Sequence, residues 1–269
     1  MITTRPFQGR VDEAEWVALR EVVPAATAAL TLVDPAYADR TVMLATVLPM
    51  AWPGMVRGDG SIFVGLQSPG RSGDVARDLG QVLARALEAP PGTPIDRLDR
   101  DSDAPRIQDL IDPAPLQVTV ENAFDFWIAG VADRSAEVTS ALESANATIV
   151  PTERLTGVDA AYWCRLRQRS HLRWALPYDE DPLLDALAKL AAARELTIGA
   201  DTKYVGAFRA HGLLVPVWDL PVEATAADVE APAAALRDRI EELMADPEPL
   251  SGEERRVRSG LLSRQLTLR

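Results

Sequence analysis

The chain of 269 residues has little of what many site chemistries require. It holds one cysteine, Cys164, so an internal disulfide framework is excluded. Two histidines, His171 and His211, join that cysteine, too few for a closed zinc site of four Cys/His ligands. No apolar run approaches the ~18 residues of a membrane span. The longest, Val42–Leu48 and Leu213–Trp218, are strand-sized. No apolar signal segment stands in Met1–Phe7, and with a single thiol the expected compartment is a reducing cytoplasm. Basic residues number 28 against 40 acidic ones, a net charge of −12, which argues against a nucleic-acid binder of whole-surface type. Lysine is scarce, 2 residues against 26 arginines, a bias that fits a GC-rich coding composition.

What is present suits a globular core: 47% hydrophobic and 25% charged residues. Periodicity predicts an α+β fold of mostly antiparallel sheets with helices packed on one face. Helices are expected at 12–22, at 73–87 with Val75, Leu79, Val82, Ala86 and Leu87 as its stripe, and at 135–147 behind an N-cap at Ser135. Further helices start at Asp181-Pro182, span 225–245, and open on a Ser251/Glu254 capping box. Strands at 29–33, 41–48 and 61–67 suggest a small meander, and 116–120 and 124–128 read as two more. Two hairpins follow, 161–166 with 172–176 across Gln168–His171, and 204–209 with 213–218 across Ala210-His211-Gly212. The Pro- and Asp-rich stretch 90–115 is the boundary candidate. It divides an N-terminal half, 1–110, from a C-terminal half, 111–269, either as two domains or within one continuous domain. Ala45-Thr-Val-Leu-Pro49 recurs as Ala147-Thr-Ile-Val-Pro151, a similarity that would make the halves pseudo-repeats.

The strongest positive feature is local basic character in an acidic chain. Arg165, Arg167 and Arg169 alternate and would share one side of a strand. Arg173, Arg209 and His211 lie nearby in the hairpins, and Trp174 supplies an aromatic surface. Arginines beside an indole suit a planar anion, a carboxylate or phosphate. His171 and His211 are the weak candidates for acid/base work. Gly65-Leu-Gln-Ser-Pro-Gly70-Arg71-Ser72 has phosphate-loop spacing, but Arg71 stands where that motif needs Lys, and a Gly/Pro turn into a helix explains it better. Cys164 reads as a buried structural thiol facing away from Arg165, and Asp125, among Phe124, Phe126 and Trp127, as a solvent-facing carboxylate. Asp179-Glu180-Asp181 reads as the acidic start of a helix, and Asp99, Asp101 and Asp103 lack the spacing of a calcium loop. Arg255, Arg256, Arg258, Arg264 and Arg269 make the last stretch the most basic.

Several strings carry a family resemblance: Trp16–Thr27, Ala45–Trp52, Tyr162-Trp-Cys164, His171-Leu-Arg-Trp174, Gly206–Asp219 and Gly260–Gln265. On these the chain resembles an uncharacterised actinobacterial family, domain of unknown function 5926. The resemblance covers nearly the whole chain. It implies a bacterial cytoplasmic protein and carries no activity and no site residues.

The residues therefore lead to a non-enzymatic binding or adaptor protein, with an Arg/His/Trp-lined surface for an anionic small molecule or an acidic protein segment. No metal, cofactor or membrane partner is expected. One alternative is an enzyme on a phosphorylated or carboxylated small molecule, with His171 or His211 as acid/base. Another is a ribosome- or RNA-associated protein acting through its basic C-terminal tail.

Overall fold

The computed structural model describes residues 2–100, 102–129, 135–246 and 248–263. The chain is α+β and divides into two compact units, 1–149 and 150–269. The division falls well past the expected 110/111. Residues 118–120 read as the start of a second half, but they hydrogen-bond into the first unit's sheet and stay with it. No helix among the described residues is long and apolar enough to cross a membrane.

The first unit opens with helix α1 (Glu13–Glu21), which Pro24 keeps short. Strands β1 (Ala26–Leu30), β2 (Val42–Ala45), β3 (Gly54–Val56) and β4 (Ile62–Gly65) follow. Helix α2 (Val75–Glu88), strands β5 (Pro94–Ile95) and β6 (Val118–Val120), and helix α3 (Ala136–Asn146) complete it. The sheet order is β5-β3-β4-β2-β1-β6. The expected meander is not formed, because β4 inserts beside β2 and the two run parallel. β3 then reaches β4 only as its antiparallel hairpin partner. The link from β2 to β3 is tight, with Met50 and Ala51 both in the left-handed region.

α2 buries Leu79, Val82, Leu83 and Ala86 and packs against β3, β4 and β5. A different set, Ala45, Leu48 and Phe63, forms a cluster on which Met43, Met55, Phe126 and Trp127 pack. Those aromatics were expected on a strand at 124–128. They form instead a 3-10 turn, Phe124–Trp127, in which Phe124 stacks on Trp127 at 4.4 Å. In the turn the three aromatic rings pack on one another, which alternation across a sheet would prevent. The 90–115 stretch is also less superficial than its composition suggests, since Ile107 and Ile111 are buried.

The second unit runs β7 (Thr152–Arg154), β8 (Ala161–Leu166), β9 (Arg169–Trp174), α4 (Glu180–Ala192), β10 (Lys203–Ala210), β11 (Leu213–Leu220), α5 (Ala226–Ala245) and α6 (Gly252–Ser263). Its sheet, β10-β11-β9-β8-β7, has only antiparallel pairs among the described residues. Trp163, Leu172, Trp174 and Trp218 form one core with Leu183, Leu187, Val229, Leu236 and Ile240 of the helices. A helix opened by Ser251 and Glu254 is present, with Ser251 N donating to Glu254 Oε2 at 2.6 Å. α5 runs through Pro232 without interruption.

One glycine gives a test of the first unit's packing. Gly80 lies within α2, and a Cβ there would stand 1.9 Å from the Pro105 carbonyl oxygen. In an exposed helix, Gly to Ala gains about 0.5–1 kcal/mol. Overpacking against backbone costs about 1–3 kcal/mol, so the clash wins. Gly80→Ala is expected to lower the urea midpoint of the full chain; a raised midpoint would refute the close approach.

Candidate functional site

Of the seven residues expected to share an anion surface, Arg169 and Arg173 lie on one face of β9 on either side of His171, while Arg165, Arg167, Arg209, His211 and Trp174 are placed elsewhere. A two-residue turn at Arg167-Gln168, with Arg167 at φ 58°, joins β8 directly to β9. The reversal is tighter than the expected Gln168–His171 loop. It moves Arg169 and His171 from the turn into β9. Arg165 pairs with Ser170 and Arg169 with Leu166, so these arginines fall on opposite faces rather than one. Arg165 lies 5.2 Å over the Trp163 ring and donates to the Val222 carbonyl at 3.1 Å. Arg169, largely exposed, stands 3.5 Å from Asp219.

Arg209 is at the other end of the sheet. Arg165 stands beside Ser170, which faces Leu220, whereas Arg209 faces Leu214. Six residues of β11 separate those partners, about 20 Å of strand. Arg209 is already engaged by Glu180, at 2.8 and 2.5 Å. His211 does occupy a turn, with φ 46° followed by Gly212 at φ 82°, the backbone of a two-residue hairpin. Trp174 offers no ligand surface: it is buried against the helices, and its Nε1 donates to the Asp159 carbonyl at 2.9 Å.

What the ladder does assemble is a row on the other face. Cys164, His171 and Asp219 are directly opposite one another on β8, β9 and β11. His171 Nδ1 stands 2.9 Å from Asp219 Oδ1, without the alignment of a regular hydrogen bond. Burial pulls the His171 imidazole below its ordinary value of 6.5. Asp219 opposes that shift, while Arg173 and Arg169 reinforce it. Burial also pushes the Cys164 thiol up, with Arg173 opposing. A protonated, buried thiol is a poor nucleophile.

The other sequence features resolve simply. In the Gly65–Ser72 turn, the Arg71 and Ser72 amides donate to the Asp78 carboxylate at 2.9 and 3.0 Å. The N–H groups that would cradle a phosphate are therefore filled by a carboxylate of the following helix. Asp125 is exposed, on the 3-10 turn rather than a strand. Glu180 meets Arg209, and Asp181 meets Arg258, so the acidic start of α4 is ion-paired. Arg258 also meets Asp185 at 2.5 Å, which neutralises part of the basic C-terminal stretch. Arg264, Arg269 and Asp101 lie outside the described residues. No cluster of metal-ligating side chains occurs among the described residues.

A site missed by sequence reasoning lies in the first unit. Arg57 closes the β3–β4 hairpin, its amide donating to the Ser61 carbonyl at 2.8 Å. Alternation puts Arg57 on the face of Met55 and Phe63. Its guanidinium lies over the Phe63 ring, 4.1 Å from the centroid. Nε and Nη2 are buried and have no hydrogen-bond partner. The nearby Asp59 carboxylate is held by Ser61, through the amide at 2.9 Å and the hydroxyl at 2.6 Å, and these bonds keep it below its usual range. Burial accordingly lowers the Arg57 pKa, and Asp59 offsets this only in part.

Arg57 lines a cleft of about 320 Å³ walled by Trp52, Met55, Pro94 and Trp127. Trp127 is fixed from behind, with its Nε1 donating to the Val47 carbonyl at 2.9 Å. The cleft thus has two indole walls, the Asp59 carboxylate, and Arg57, whose unpartnered Nε and Nη2 are buried beside it. Its parts span residues 52–129, so no local motif announces it. The one available signal was parity, which sets an arginine on the same strand face as apolar neighbours.

A family model described as Family of unknown function (DUF5926) matches residues 6–269. Neither the curated proteins nor the solved structures yielded a match.

The lowered imidazole value predicts a pH dependence. As pH falls, the unfolded chain binds the His171 proton before the folded chain does. The contribution of a neutral His171 is complete above the ordinary value and is lost as pH drops below it toward the folded value. Melting temperatures of wild type and His171→Asn, compared from about pH 8 to about pH 5, should differ by an amount that shifts against wild type below about 6.5. A difference independent of pH would contradict the burial effect.

Proposed function

The chain belongs to the family of unknown function DUF5926, and we propose that it is a small-molecule binding protein whose ligand is a flat anion held in the Arg57 cleft. The observation that carries this reading is the pair of buried, unpartnered N–H groups on Arg57. Leaving buried donors unpaired costs about 1–3 kcal/mol each, and the cation–π contact with Phe63 returns only about 0.5–2 kcal/mol. A carboxylate or phosphate taken up by those donors would offset the remainder. The cleft's volume falls at the small end of ligand pockets, and indole walls favour a planar body.

The reading keeps the binding class expected from the residues and moves its site from the 163–174 and 206–218 hairpins to the first unit. The enzymatic alternative has one observation in its favour, the His171–Asp219 contact. It would require that His171→Gln abolish turnover of a ligand while leaving its binding intact.

Isothermal titration of the full chain with aromatic carboxylates and mononucleotides tests the proposal. Charge-assisted hydrogen bonds contribute about 1.5–3 kcal/mol, so Arg57→Gln should weaken binding about 10- to 100-fold. The unliganded variant should melt near or above the wild-type temperature, because the partly desolvated charge is gone. Equal affinities for wild type and variant would refute the site, as would the absence of binding across the panel.

A further inference from the structure

We infer that the second unit holds a separate site for an amphipathic anion, in a cleft formed by the end of α4, the start of β10 and α6. The cleft measures about 450 Å³, within the range of small-molecule sites. Leu196, Tyr204, Val257 and Leu261 form its apolar lining, and Arg194 and Lys203 its cationic part. Lys203 is one of two lysines in the chain. Both cationic side chains are exposed, and among the described residues neither is engaged in an ion pair or side-chain hydrogen bond.

The backbone at Arg194 supports a role for its side chain. α4 ends in two interlocked bonds: the Glu195 amide donates to the Leu190 carbonyl at 2.8 Å, and the Arg194 amide to the Ala191 carbonyl at 3.1 Å. This is the Schellman arrangement, whose left-handed residue is normally glycine. Arg194 adopts φ 61° there. A residue that carries a Cβ is disfavoured in that conformation. Such an outlier at the lining of a cleft points from strain to use.

The electrostatic balance favours an anion. The carbonyl end of α4 contributes about half a negative charge, whereas Arg194 and Lys203 contribute two full positive ones. Glu195 is outside the lining and lies 3.9 Å from Arg239. The chemistry on offer is a cationic rim above aliphatic and phenolic surface. Its complement is a carboxylate or phosphate head on a short apolar body.

Thermal shift of the full chain tests the site with octanoate and octyl phosphate, using 1-octanol and inorganic phosphate as controls. At least one octyl anion should raise the wild-type melting temperature by a few degrees, by mass action, and octanol and phosphate should not. Arg194→Gly is the informative variant, because glycine suits the left-handed backbone. It should melt at or above wild type when unliganded and lose the anion-induced shift. Arg57→Gln should keep that shift, which separates this site from the cleft of the first unit. An undiminished shift in Arg194→Gly would overturn the inference. So would octanol matching the anions, or no shift with either octyl anion.

Discussion

Two left-handed hairpin turns set the geometry on which the second unit depends. Arg167 and His211 each accept a positive φ, and each turn reverses the chain within two residues. The register that follows puts Trp163, Leu172, Trp218 and Tyr204 opposite one another in a single row. That row is the surface on which the helices pack. Because side chains alternate, the same register sends Cys164, His171 and Asp219 to the opposite face. A ladder cannot redirect one arginine without moving every neighbour on its strand. The scattering of the arginines is therefore a consequence of how the core was built.

The same rule produces the cleft of the first unit. Met55 and Phe63 must face Phe126 and Trp127 to bury their apolar area. Arg57 is two residues beyond Met55 and shares its face. It is carried into partly desolvated surroundings by the packing of its neighbours. Phe63 receives the cationic face, and Asp59 is occupied with its own turn. Nearby, Met50 and Ala51 hold a left-handed link that delivers Trp52 to the cleft wall. Two consecutive non-glycine residues in that region cost about 1–2 kcal/mol each. The sheet beside them supplies the compensating burial.

Net charge turns out to be a poor guide to where anions would bind. The chain carries −12 overall, yet much of the acid is spent locally. Asp78 fills the turn before α2, Glu180 holds Arg209, and Asp181 with Asp185 holds Arg258. Surface pairs of this kind contribute little to stability. Their effect is to remove charges from the pool available to a ligand. Arg57, Arg194 and Lys203 matter because they are left out of that pairing.

The sequence alone specifies the α+β class, most helices and their caps, and the second hairpin, because these depend on period, turn chemistry and capping over short spans. Ser135 caps α3 by accepting from the Val138 amide at 3.3 Å, and Ser251 with Glu254 opens α6 as their spacing requires. It also placed Cys164 away from Arg165, since alternation alone decides that. Other features arise only from long-range packing. The parallel β2–β4 pair, the division at 149/150 and the 3-10 turn at Phe124 all depend on partners distant in sequence. The Arg57 cleft belongs to the same class. Whether an arginine is paired, stacked or left with free donors is settled by which charges arrive beside it. That is a property of packing, and no local pattern encodes it.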